Sequence, residues 1–97
     1  MSSLTGKLQG VYAGAQKGAG KTAVACAELV DAHGINGDAH AGRDARRQVS
    51  LLAAEVLRDL AAQGIAYSAG ELSANLLTEN IPLDSLAAGT RLKIGAA

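Results

Sequence analysis

Large apolar side chains come in short bursts along the chain, divided by glycine and alanine. From 8 to 14, Leu8, Gly10, Tyr12 and Gly14 alternate with Gln9, Val11 and Ala13, which predicts a strand. Gln16–Gly20 reads as a glycine-rich loop. Val24–Val30, with Val24, Cys26 and the Leu29–Val30 pair, reads either as a strand or as a short alanine-rich helix, because periodicity does not separate the two over so few residues. His33–Gly42, H-G-I-N-G-D-A-H-A-G, predicts tight turns, since its glycines and the Asn-Gly-Asp run favour positive φ.

The clearest periodic signal follows. Val49, Leu52, Ala53, Val56, Leu57 and Leu60 fall at i, i+3, i+4, i+7, i+8 and i+11, one apolar stripe of an amphipathic helix. Ser50 is placed to cap its start with Val49 as the staple residue, and Gly64 to end it. Ile65–Gly70 brings the chain back. Glu71–Thr78 puts Leu72, Ala74, Leu76 and Thr78 on one parity with Leu77 breaking it, a strand or strand plus loop. Ile81–Gly89 reads as a turn around Pro82 and a single helical turn, and Thr90–Ile94 as a short strand. The expected fold is mainly β with one main helix, an α+β domain over residues 1–97.

Composition thins the core this pattern promises. Of 97 residues 48% are apolar, but 21 are alanine, and there is no Phe or Trp, so little area is available for burial beyond the backbone. No apolar run is long enough for a membrane span, and the first residues, M-S-S-L-T-G-K, lack the apolar stretch of a signal peptide. A single cysteine, Cys26, builds neither a disulfide framework nor a thiolate zinc site, which fits a reducing, cytoplasmic setting. Nine basic and nine acidic residues cancel, which argues against a general nucleic-acid binder. The cancellation is uneven. Residues 1–47 carry six basic groups against four acidic ones, so Lys17, Lys21, Arg43, Arg46 and Arg47 read either as a solvated mixed surface or as an anion site, with arginine able to hold phosphate through two parallel bonds.

A-Q-K-G-A-G-K-T, residues 15–22, fits a loosened phosphate-loop pattern with Ala15 in place of the first glycine. Nucleotide binding by this loop ranks low. No later apolar strand ends in an aspartate for a second metal ligand, and a nucleotide-binding parallel sheet needs more chain. Asp38, His40 and nearby His33 read either as carboxylate and imidazole ligands or, with Gly37, as a turn that Asp38 fixes through backbone N–H groups; no metal site is expected. Cys26, between alanines, reads more readily as a small buried hydrophobe than as a nucleophile.

Four stretches in order resemble the MOSC domain, the module named for the C-terminal part of molybdenum-cofactor sulfurases. They are G-I-N-G-D-A-H-A-G (Gly34–Gly42), R-Q-V-S-L-L-A-A-E (Arg47–Glu55), A-N-L-L-T-E (Ala74–Glu79) and L-A-A-G-T-R-L-K-I-G (Leu86–Gly95). K-G-A-G-K-T-A-V also resembles the lysine-bearing approach to the family's second strand. Asn36, Ala74 and Leu77 depart from the family's usual residues. The cysteine that follows further strands in the family has no counterpart here, and Cys26 does not inherit its role.

The resemblance implies a small β-barrel, here without its last strands, and a link to the molybdenum cofactor (molybdopterin), through binding it or assisting sulfur transfer to it. On that basis Lys17, Lys21, Arg43, Arg46, Arg47, Asn75 and Thr78 are the expected cofactor-binding residues, although Asn75 and Thr78 read equally as turn-closing groups. Gly37, Asp38, His40, Gln48 and Ser50 are expected to be structural or orienting. The expected partners are a molybdoenzyme or cofactor-synthesis protein, or further copies of the chain pairing at an open sheet edge. The alternative function is a non-enzymatic oligomerising or partner-binding domain.

Overall fold

In a computed structural model the described residues are 5–15, 20–42 and 48–95. They form a small α+β domain. The elements in order are β1 (Lys7–Ala13), β2 (Thr22–Val24), β3 (Leu29–Val30), β4 (Gly34–Ile35), β5 (Leu51–Ala53), helix α1 (Ala54–Ala62), β6 (Leu76–Glu79) and a 3-10 turn (Leu83–Ser85). Four strands make a mixed sheet in the order β2-β1-β6-β5. β1 is antiparallel to β2 and to β6, and β5 runs parallel to β6 across the α1 crossover. β3 and β4 form a separate antiparallel pair. No helix among the described residues is long and apolar enough to cross a membrane.

Burial on both faces explains why the period failed at Leu77. Leu76, Leu77 and Thr78 are all buried, Leu77 against Ala54, Ala69 and Ala74 and Leu76 beside Leu8, Val11 and Leu29, so the strand has no solvent face to alternate with. The helix is shorter than its stripe. Leu51–Ala53 pairs with β6 instead, and α1 starts at Ala54. Ala54 is buried and Leu57 packs on the core, while Val56, expected inside, is exposed. Ser50 is not the cap. The capping position is Ala53, with no side-chain bond to the helix. Gly64 does end the helix. The N–H groups of Gly64 and Ile65 donate to the carbonyls of Ala61 and Leu60, the paired bonds of a left-handed glycine terminus.

Two other expectations change. Val24–Val30 is neither one strand nor a helix, since β2 ends at Val24 and β3 begins at Leu29. Thr90–Ile94 alternates as a strand does but joins no ladder, because the sheet ends at β2 and β5.

The core is as thin as the alanine content implies. Ala54, Ala69, Ala74 and Leu77 make its buried cluster, with Tyr12, Leu52 and Leu57 packed against it. Polar bonds supplement it. Asn75 is fully buried. Its Nδ2 donates to the Tyr12 carbonyl (3.1 Å), its Oδ1 accepts from the Ser50 N–H (3.0 Å), and its carbonyl accepts from the Tyr12 N–H (2.7 Å). Ser50 answers by accepting the Asn75 N–H at Oγ (3.2 Å) and donating that hydroxyl to the Ser73 carbonyl (3.1 Å). One amide thus fastens the end of β1 to the residue that leads into β5. Asn75→Ala leaves the half-buried Ser50 N–H and Tyr12 carbonyl without these partners, so urea denaturation will show a loss of about 1–3 kcal/mol.

Candidate functional site

The turn before β5 is built around Asp38. Gly37, at φ 85°, swings the chain into it, and Asp38 Oδ2 accepts the His40 N–H (3.0 Å), a local turn closed by the side chain. Oδ1 reaches away from the turn and accepts the Gly14 N–H (3.0 Å) and the Lys21 ammonium (2.7 Å). The Ala39 N–H donates back to the Gly14 carbonyl (2.7 Å). The Asp38 carboxylate is fully buried and the Lys21 side chain nearly so. Such a pair needs its other polar positions satisfied, and the carboxylate's are taken by the Gly14 and His40 N–H groups.

Lys21 is set in place by glycines. Its N–H donates to the Gly70 carbonyl (2.9 Å), and a Cβ on Gly70 would stand 1.9 Å from the Lys21 carbonyl oxygen, so no side chain fits there. A Cβ on Gly14 would meet the Gly20 carbonyl at 2.7 Å. Gly14 and Gly20, which bracket residues 15–19, therefore nearly touch. Gly70 has no turn signature in the sequence, and only its tolerance of close approach marks it.

A second tie lies nearby. The Gly42 N–H donates to the His33 carbonyl (2.8 Å), and Gln48 Nε2 donates to the Ala32 carbonyl (3.0 Å). Gly42 and Gln48 thus attach to neighbouring residues of the turn between β3 and β4.

The structure brings Lys21, Gly37, Asp38 and His40 together. Ser50 and Asn75 form the second knot, joined to the first through the end of β1, where Tyr12 and Gly14 are two residues apart. Thr78 is buried in β6, its hydroxyl 3.5 Å from the Leu52 carbonyl oxygen. The polar atoms of the Asn75 side chain are engaged within the chain. Lys17, Arg43, Arg46 and Arg47 lie outside the described residues. Cys26, read as a buried hydrophobe, is exposed. Of the 15–22 motif, residues 16–19 lie outside the described residues, and its end, Lys21–Thr22, does not open a helix. A phosphate loop opens one, whereas Lys21 leads into strand β2 and its ammonium is bound to Asp38.

Chemically, the Lys21–Asp38 pair is an anchor. Its two charges neutralise each other, and both carboxylate oxygens are occupied, so neither group is free for proton transfer. His40 keeps a shielded Nδ1 that makes no hydrogen bond, 3.6 Å from Asp38 Oδ2. Comparison with known proteins returns no matching family model, no matching curated protein and no matching solved structure.

Burial works to raise the Asp38 pKa. The hydrogen bonds from Lys21, His40 N–H and Gly14 N–H outweigh it together and hold the carboxyl below its ordinary 3.8. The sign follows. The stabilisation is fully present above the unfolded value and is lost as pH falls through 3.8 toward the folded value. Asp38→Asn keeps the shape but strands the Lys21 charge, and is expected to cost about 3–5 kcal/mol at neutral pH. Denaturant titrations from pH 7 down to the acid limb will show that part of the pH dependence in the natural protein and not in D38N.

Proposed function

We propose that this end of the domain binds an anionic pterin of the molybdenum-cofactor type, within a MOSC-like barrel architecture. The observation that supports the reading is that Asp38 fastens Gly14 and Lys21, which bracket the segment bearing Lys17, in the same turn that leads to Gly42, where the arginine segment begins. A site for a phosphate-bearing ligand needs basic groups on chain whose ends are held in fixed positions, since ordering them on binding would otherwise subtract from affinity. The buried, paired Lys21 serves that frame, and ligand contact falls to Lys17, Arg43, Arg46 and Arg47. Bidentate arginine contacts to phosphate would supply the recognition. Cys26 takes no part, and the reading is of a binding or carrier module, with sulfur transfer requiring a thiol from elsewhere.

Anaerobic titration with molybdopterin, followed by its fluorescence, tests this. Saturable binding is expected. Arg47→Ala should weaken it about 10- to 100-fold, the loss of one charge-assisted contact. Arg91→Ala, outside the proposed site, should leave it unchanged. No saturable binding, or equal loss in both variants, overturns the proposal. A rise in melting temperature with ATP and Mg²⁺ but not with molybdopterin would favour the nucleotide reading instead.

A further inference from the structure

We infer that the cleft between the start of β1 and residues 91–95 binds an aliphatic anion, an acidic head group carried on an unbranched hydrocarbon chain. The described residues include five lysines and arginines. Lys21 is bound to Asp38, and Arg58 of α1 to Glu79. The other three, Lys7, Arg91 and Lys93, make no ion pair or side-chain hydrogen bond among the described residues, and all three line this one cleft. No aspartate or glutamate shares the wall with them.

The sheet explains why Lys7 is unpaired. Glu79 stands opposite it on β6 but is engaged by Arg58. Arg91 and Lys93 belong to the stretch that alternates charged with apolar residues and joins no ladder, so no facing strand brings them a carboxylate. Three like charges around one cleft repel one another, and an anion entering it relieves that repulsion.

The apolar lining specifies the rest of the ligand. Leu8, Ile81, Leu92 and Ile94 share the cleft with the three cations. Leu8 and Leu92 are 43% and 42% exposed, so apolar surface is uncovered directly beside the charges. The volume is about 590 Å³, inside the range of roughly 300–1,000 Å³ usual for small-molecule sites. No aromatic side chain lines it, which leaves nothing to stack on a base or a pterin ring. A cationic rim over aliphatic walls fits a charged head with a hydrocarbon tail. The cleft shares no residue with the proposed pterin site. Lys7 opens β1 and Gly14 follows its end, a span of about 20 Å along the strand.

Calorimetric titration of the whole chain with decanoate, below its micelle concentration, tests this. Saturable binding is expected, weakening as ionic strength rises. Decanol and decyltrimethylammonium keep the chain but change the head, and should bind at least about tenfold more weakly. Acetate, the head without the chain, should not saturate. Amide chemical shifts should move at Leu8, Leu92 and Ile94 and not at Asp38. Arg91→Ala, which spares molybdopterin binding, should weaken decanoate binding about threefold, and Arg91→Ala with Lys93→Ala about tenfold, with the circular dichroism unchanged. No saturable decanoate binding overturns the inference. So does equal affinity for the cationic amphiphile, or a set of shifts that lies elsewhere. Cosedimentation with phosphatidylglycerol vesicles without binding of free decanoate also overturns it, and assigns the charges to a lipid surface. Should the double variant fail to fold, the head-group series and the shift map on the natural chain decide.

Discussion

The Asp38 carboxylate is taken out of water and surrounded by donors from three parts of the chain: the end of β1, the residue before β2, and the turn it closes itself. Gly14 and Lys21 are each held by a further backbone bond, to Ala39 and to Gly70, so neither is free to follow the carboxylate if it moves. A buried charge is costly to strand, and this one is compensated only when all three passes are in place together. That makes the pair weak as a source of net stability and strong as a condition on geometry. The positions of residues 14, 21 and 38 are specified jointly.

The second knot works by the same logic without charge. Asn75 matches backbone polar groups of Tyr12 and Ser50, and Ser50 matches those of Asn75 and Ser73. Both knots hang on the last residues of β1. With alanines filling most of the buried cluster, apolar contact alone defines few side-chain positions, and the hydrogen bonds supply the directionality that larger side chains give in other cores. The two knots compensate for the scarcity of Phe, Trp and large aliphatic groups noted in the composition.

Much of this was legible in the sequence, unevenly. The first strand, the turn at Gly37–Asp38, the glycine stop at Gly64 and the α+β class follow from local chemistry, and local chemistry is what periodicity reports. The start of the helix was not legible, because Leu51–Ala53 satisfies a helical stripe and a buried strand equally, and pairing with β6 decides between them. Leu77 misled for a related reason, since β6 is covered on both faces. At the site, Asp38 and Lys21 stood out by type, but their union depends on Gly70 and Gly14, whose role is to be absent of side chain where two backbones pass. A glycine used that way leaves no pattern around it.

The pairing of β1 with β6 also sets an order of events. Lys7 lies opposite Glu79, and Val11 opposite Leu76, so the sheet's central contact joins residues about seventy positions apart. Long-range contacts of that kind carry the loop-closure entropy of everything between them and slow folding. On a growing chain, β1 can meet β2 early, but the strand that buries it is made more than fifty residues after β2. Until then the Asn75 amide is missing, Tyr12 lacks its buried partner, and the apolar face of β1 waits uncovered. The sheet closes from β6 backward.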